Sequence, residues 1–166
     1  MSMVGHLRFV RDEDIDRMLR DPQTILDLLD EEGTQAAPGW AIEIDKAWGG
    51  IHYLLTGTAL EGSGPTAFLV TGGRDIGDVD VGYGPARAFS SVETKAIADA
   101  LAVLEPDFLR GRFDAQKMTE LEVYPSIWLR EGKDSALGSL LRHYETLRGD
   151  VRRAANNGLA MLVYLS

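Results

Sequence analysis

Alternating apolar and polar residues near the start of the chain predict a half-buried strand. Leu7 and Phe9 are apolar, whereas His6 and Arg8 are polar. A period of two is typical of a strand with one face in the core. Three later apolar segments, residues 40–44, 67–70 and 86–89, are short enough to predict further strands.

Apolar residues spaced three or four apart predict the helices, and a capping residue precedes four of these sets. Four of these helices begin after Asp12, after Asp21-Pro22, after Asp45 (residues 46–56) and after Ser90. Residues 108–121 are predicted to be helical with a break near Asp114, and the last helix extends from about Leu137 to Ala155. Ser90 and Glu93 form a capping box, in which each side chain satisfies a free amide at the helix start. The face predicted to be buried in that helix contains Val92, Ala96, Ile97, Ala100, Leu101 and Leu104. Gly149, inside the last helix, predicts a kink or a close packing contact.

The last apolar segment, residues 159–165, predicts the centre of the sheet. It is apolar at odd and even positions, as expected for a strand covered by helices on both faces. The predicted fold class is therefore α/β, of the α+β mixed type: a three-layer arrangement with a mixed β-sheet flanked by helices. No repeat or linker interrupts the pattern, so we expect one domain over residues 1–166. Residues 33–39 are predicted to form an exposed loop.

Composition and charge exclude several classes of function but do not assign one. The chain has 26 acidic and 17 basic residues, a net charge of −9, and no cysteine. A nucleic-acid-binding protein needs a basic surface to neutralise phosphates, so we expect no nucleic-acid partner. The absence of cysteine excludes disulfides, thiolate nucleophiles and cysteine metal sites.

Apolar segments are too short to predict a membrane protein. The longest apolar run has seven residues, 159–165, against about 20 for a membrane-spanning helix. The first ten residues lack the apolar core of a signal peptide. We therefore expect a cytoplasmic protein with no membrane partner.

Three ordered motifs carry a resemblance to a known family. They read DKAWGGIHYLLTG at residues 45–57, GG, IG and GYGPAR between residues 72 and 87, and YPSIW at residues 124–128. Together with the last helix and strand, they resemble the YfbM-like family of bacterial proteins over nearly the whole chain. The resemblance implies a three-layer α/β fold and no established activity. Residues 33–39 depart from the family pattern, because they contain glycine and proline rather than a strongly acidic run.

The first motif contains a candidate general base. On the predicted helix, Asp45, His52 and Thr56 lie at one edge of the apolar arc, and Tyr53 lies away from it. Asp45 would then orient the His52 ring for proton abstraction. The alternative is that Asp45 caps the helix and His52 bonds to backbone at the edge of the core.

The glycine-rich motif contains a candidate anion-binding residue. Glycines let the backbone approach a ligand, and the Arg87 guanidinium can bind a carboxylate or phosphate in a fork geometry. The alternative is a tight turn in which Arg87 holds an acidic neighbour. The spacing fits neither a phosphate loop nor a dinucleotide-binding loop, because position 87 is arginine.

Aromatic residues complete the candidate site. Tyr124, Trp128 and Trp40 would stack on a ligand or, alternatively, close the core. Asp75, Asp78 and Asp80 do not form a calcium loop, because the twelfth position is Ala86. His6, His52 and His143 are too dispersed for a metal site, so we predict no metal and no cofactor.

Three functions are compatible with this sequence, and the oligomeric state is open. The first is a module that binds a small molecule or a protein in a polar–aromatic cleft. Its predicted ligand-binding residues are Asp45, Trp48, His52, Tyr83, Arg87, Tyr124 and Trp128. The second is a hydrolase-like or transferase-like enzyme with His52 as general base and Asp45 as its partner. The third is an acidic immunity or inhibitor protein directed against a basic toxin.

Overall fold

An antiparallel five-stranded sheet forms the middle layer of the protein. The computed structural model describes residues 2–30 and 40–166. The strands are β1 (Gly5–Val10), β2 (Ala41–Glu43), β3 (Arg74–Asp75), β4 (Arg87–Phe89) and β5 (Ala160–Leu165). Their spatial order is β2-β1-β5-β4-β3. Every pair in the described sheet is antiparallel. The α+β class is therefore confirmed, but the described sheet is purely antiparallel and not mixed as predicted.

Helices cover both faces of this sheet. In chain order they are α1 (Asp12–Arg20), α2 (Thr24–Asp30), α3 (Trp48–Thr56), α4 (Ser91–Ala102), α5 (Pro106–Arg110), α6 (Ala115–Glu120) and α7 (Lys133–Asn156). The side chains of α1 and α2 pack on one face, against Ala160, Leu162 and Tyr164 of β5. Helices α3 to α7 cover the other face, where Met161 and Val163 point. The apolar character of β5 on both faces therefore has the predicted cause.

Several helix ends lie where the sequence predicts. The Ser90–Glu93 capping box forms at the start of α4. The Asp114 side chain accepts a hydrogen bond from the Lys117 amide and separates α5 from α6. Gly57, with φ 80°, ends α3 in the left-handed conformation.

The prediction of a strand at residues 67–70 is wrong. A 3₁₀ helix, Pro65–Ala67, occupies this place and continues as a turn. Ala67, Phe68 and Leu69 are nevertheless buried. The run is apolar because its side chains pack in the core. An apolar run of only four residues is compatible with either a strand or a buried turn.

Two predicted caps and one helix face also need correction. The N-cap of α1 is Arg11, whereas the Asp12 carboxylate accepts hydrogen bonds from the amide and hydroxyl of Ser91. Asp45 begins a 3₁₀ turn, Asp45–Ala47, before α3, and that turn has no side-chain cap.

The buried face of α4 is rotated from the predicted one: it consists of Thr94, Ile97, Ala98 and Leu101. Val92 is 78% exposed.

Helix α3 is more buried than its pattern predicts. All eight residues from Trp48 to Leu55 are buried, including Tyr53, which was predicted to face away from the core. The helix packs against α7 and against the 3₁₀ segment Pro65–Ala67. A helix covered on several sides shows no polar face. The predicted loop at residues 33–39 lies outside the described residues.

Candidate functional site

Close packing brings the first motif against the Tyr-Pro-Ser-Ile-Trp motif. A Cβ atom added at Gly49 would lie 2.6 Å from the Tyr124 carbonyl oxygen, and one added at Gly50 would lie 2.7 Å from Trp128. The Trp48 and Tyr124 rings stack with centroids 5.1 Å apart. Only glycine fits at these two positions, so Trp48 is held directly beside Tyr124.

The segment at residues 2–4 ties the same two rings together. The Trp48 indole donates to the Met3 carbonyl at 3.0 Å, and the Met3 amide donates to the Tyr124 hydroxyl at 2.8 Å. Both polar ring atoms are therefore satisfied by one residue of the backbone. This arrangement fixes the buried Trp48 ring, which is 3% exposed, against the half-buried Tyr124 ring.

The glycine-rich motif places Tyr83 at the end of β5. The Asp80 carboxylate accepts hydrogen bonds from the amides of Gly82 and Gly84, and these bonds lower its pKa. The Tyr83 amide donates to the Leu165 carbonyl at 3.1 Å. Gly82, at φ 145°, passes so close to Ser166 that an added Cβ would lie 2.5 Å from its Cα. The motif is thus a turn fitted against the sheet.

Arg87 binds backbone carbonyls. Its guanidinium donates to the carbonyl oxygens of Phe68, Thr71 and Gly72 at 2.7–3.0 Å. Burial lowers the pKa of Arg87 to about 10, and the negative charge of Asp75 opposes that shift. The group is therefore protonated at neutral pH, and it holds the turn after Pro65–Ala67 in place.

Four of the seven predicted ligand-binding residues line one cavity of about 560 Å³. These four are Trp48, Tyr83, Arg87 and Tyr124, and they come from all three motifs. We call this space the aromatic cavity. The rest of its lining is mostly apolar and consists of Met3, Ala59, Leu60, Leu69, Val70, Asp75, Pro85, Glu122, Val163, Tyr164 and Leu165.

A second cavity of about 530 Å³ also has Tyr124 in its lining. Asp45 and Trp128 line it, so six of the seven predicted residues are divided between two cavities that share Tyr124. We call this one the polar cavity, because Lys46, Arg130, Glu131, Ser139 and His143 also line it. Trp128 contributes little surface, since it is 1% exposed and its indole donates to the Val123 carbonyl.

His52 lies in the core and lines neither of these cavities. It is fully buried, and its Nε2–H donates to the Glu61 carbonyl at 2.8 Å. Among the described residues its Nδ1 has no hydrogen-bond partner. The exposed Asp45 therefore does not orient this ring, and the geometry required of a His52–Asp45 pair is not formed.

Burial of His52 predicts a pH-dependent stability. Its pKa is lowered from 6.5 mainly by desolvation; the bond to Glu61 opposes this shift and the charge of Arg87 adds to it. Below pH 6.5 the unfolded chain takes up a proton that the folded protein does not. Stability therefore falls as the pH drops from about 6.5 towards the folded pKa, by at most about 1.4 kcal/mol per pH unit.

Urea denaturation between pH 7.5 and 5.5 tests this expectation. His52→Gln keeps a donor for the Glu61 carbonyl but cannot take up the proton. Its free energy of unfolding should fall less steeply with decreasing pH than that of the wild type. Parallel curves for the two proteins would show that His52 does not carry this dependence.

Trp40, the third predicted aromatic residue, contacts the core edge at another place. Its ring packs against Phe9, with centroids 4.9 Å apart, and under the Arg153 guanidinium at 4.0 Å. Its indole donates to the Asp150 carboxylate. Trp40 is thus fixed between β1 and α7 and is absent from the lining of both cavities.

Two acidic residues of the aromatic cavity, Asp75 and Glu122, were not among the predicted site residues. Asp75 was considered only as a calcium ligand, and Glu122 was not considered. Glu122 has φ 57° and lies two residues before Tyr124. Its nearness to that motif is the one sequence signal that identifies it.

Two arginines with a structural role were missed as well. Arg112 donates to the carbonyls of Leu54 and Leu55 at the end of α3. Arg148 does the same for Leu101 and Ala102 at the end of α4. A cationic side chain is stabilising at the carboxyl end of a helix, because the last carbonyl groups there have no hydrogen-bond partners within the helix.

The described residues contain no helix of the length and apolarity needed to cross a membrane. They also contain no group of three or more histidine, aspartate or glutamate side chains placed to hold a metal ion.

Comparison with known proteins assigns the chain to a family. The protein-family model described as "Domain of unknown function (DUF1877)" matches residues 1–164 of this chain. The chain belongs to this family. Protein YfbM of Escherichia coli (strain K12) is 26% identical over 162 residues, which cover 95% of each chain. The crystal structure of YfbM from Escherichia coli, described as a protein of unknown function, matches with a TM-score of 0.75 at 24% identity, over 98% of this chain and 99% of that one. The resemblance inferred from the three motifs is confirmed, as is the α+β fold.

Proposed function

We propose that this DUF1877 protein binds a small molecule in the aromatic cavity. The observation that carries the proposal is that Trp48, Tyr83, Arg87 and Tyr124 come from three separate motifs and line one space. Its volume, about 560 Å³, lies within the range of about 300–1,000 Å³ that small-molecule sites occupy. A largely apolar lining with a few polar groups is also typical of such sites.

The rim of the cavity supports the same proposal. Leu60 and Tyr83 line the cavity but are 59% and 41% exposed. Large apolar side chains that are solvent-exposed at the mouth of a concave surface are common at binding sites. A bound molecule would cover them, and their burial would contribute to its affinity.

A thermal-shift screen of metabolites tests the proposal when three proteins are compared. These are the wild type, Leu60→Ser, and Leu129→Ser as a matched control, because Leu129 is 65% exposed and lines neither cavity. A ligand at about 100 times its dissociation constant adds about 2.7 kcal/mol of stability. We expect compounds that raise the melting temperature of the wild type and of Leu129→Ser, with a smaller rise in Leu60→Ser.

Two results would count against the aromatic cavity as the binding site. One is a screen in which no compound stabilises the wild type. The other is a set of compounds that stabilise all three proteins equally, which would place binding elsewhere.

A further inference from the structure

We infer that the molecule bound in the aromatic cavity is an organic cation with an apolar body. This inference rests on the proposed function and adds the charge of the ligand. Three charged residues line the cavity: Arg87, Asp75 and Glu122. Which of them is free to meet a ligand decides the preferred charge.

Arg87 is the least available of the three. Three of its N–H groups donate to the carbonyls of Phe68, Thr71 and Gly72. A guanidinium has five such groups, so its fork is already directed towards the backbone. The charge of Asp75 also acts on it. Arg87 is therefore a poor anchor for an anionic ligand.

The two carboxylates are available. Asp75 and Glu122 are both exposed, and within the described chain neither carboxylate accepts a hydrogen bond or lies within 4.0 Å of a basic group. Two negative charges thus face one positive charge that is already engaged. The net charge of −9 adds a long-range attraction for cations.

The backbone at Glu122 supports a role for its side chain. Its φ of 57° is a conformation that suits glycine or asparagine. Glutamate at this position is unfavourable for the local backbone, and a side chain kept at such a position is a candidate for function. Glu122 lies beside the stacked rings of Trp48 and Tyr124 in the lining of the cavity.

Aromatic rings and carboxylates together match the chemistry of an organic ammonium. The electron-rich face of a phenol attracts a cation, and Tyr83 and Tyr124 supply phenol rings to the lining. The apolar walls bury the rest of the molecule. A neutral ligand would gain only the second contribution. An anion would be repelled by the two exposed carboxylates.

Three probes with one ring system separate these alternatives: tryptamine as the cation, tryptophol as the neutral compound and indole-3-propionate as the anion. Isothermal titration calorimetry with the full chain at low salt gives the dissociation constants. We expect tryptamine to bind about fivefold more tightly than tryptophol, and indole-3-propionate to bind most weakly. The preference should shrink at high salt, because salt screens exposed charges.

Variants assign this preference to the two carboxylates. Glu122→Gln should weaken tryptamine binding roughly two- to fivefold, the range expected for an exposed charge pair, and leave tryptophol binding unchanged. Glu122→Gln combined with Asp75→Asn should abolish the difference between the two probes. Glu13→Gln removes the same charge from α1, on the opposite face of the sheet, and should keep the difference.

Glu122→Gly adds a readout that a purely structural role would not produce. It should relieve the backbone and raise the melting temperature, yet weaken tryptamine binding as Glu122→Gln does. Equal or tighter binding of indole-3-propionate would overturn the inferred charge but leave the proposed function intact. If none of the three probes binds at millimolar concentration, the inferred preference for an aromatic cation fails, whereas the proposed function is decided by the metabolite screen.

Discussion

Gly49→Ala is expected to lower the free energy of unfolding by about 1–3 kcal/mol, the usual cost of overpacking a core. The new Cβ would lie 2.6 Å from the Tyr124 carbonyl oxygen and 3.1 Å from the Tyr124 Cβ. A backbone oxygen cannot rotate away as a side-chain tip can, so α3 and the Tyr124 segment must separate. That separation would also disturb the Trp48–Tyr124 stack in the aromatic cavity.

Gly149→Ala is the matched control for this variant. Gly149 lies inside α7, and an added Cβ there would meet nothing within 4 Å. Alanine is favoured over glycine inside helices by roughly 0.5–1 kcal/mol, so this change should stabilise the protein. Urea denaturation of both variants provides the comparison. A Gly49→Ala protein as stable as Gly149→Ala would contradict the close approach of α3 to Tyr124.

Trp128→Ala is expected to lower the free energy of unfolding by about 3–5 kcal/mol, as large truncations of buried aromatic residues do. Trp128 is 1% exposed and its ring packs edge-on against Phe113, with centroids 6.2 Å apart. Removing it would also leave the Val123 carbonyl without its indole donor.

Tyr83→Ala provides the contrast, because the sequence predicted both aromatic residues as ligand contacts. Tyr83 is 41% exposed, so its removal should change stability by only about 0.5 kcal/mol. Chemical denaturation measures both variants. Equal losses would mean that Trp128 is no more a part of the core than Tyr83.

The parts of the fold that the sequence predicted have a local or periodic cause. The capping box at Ser90 and Glu93 needs only four adjacent residues. Strand β5 was recognisable because both of its faces are apolar, and its central position explains that pattern. The apolar positions of α7, mostly three or four residues apart, were equally clear.

The errors arose where tertiary contacts override the local pattern. The run at residues 67–70 is apolar, but Arg87 binds the carbonyl of Phe68 within it and that of Thr71 directly after it, so these groups need no neighbouring strand. Tyr53 was predicted to face away from the core because its position on the helix is opposite the apolar arc. Helix α3 is covered on that side too, which no spacing within the helix reveals.

The candidate site could be predicted only in part for the same reason. Recognisable motifs identified Trp48, Tyr83, Arg87 and Tyr124, and the fold brings these four together. Asp75 and Glu122 belong to the cavity because β3 pairs with β4, β4 pairs with β5, and the Tyr124 segment packs on α3. Arg87 pairs with Val163, and Gly49 contacts Tyr124, so the last two of these contacts join distant parts of the chain. Their outcome depends on the whole fold, which a single sequence does not display.

The central position of β5 also determines when the sheet can form during synthesis. Strands β1 and β4 do not touch each other in the sheet; each pairs with the segment Ala160–Leu165 between them. A nascent chain therefore cannot close this sheet until residue 165 has left the ribosome. Until then the inner edges of both strands carry unpaired amide and carbonyl groups, which are open to incorrect pairing or to a chaperone.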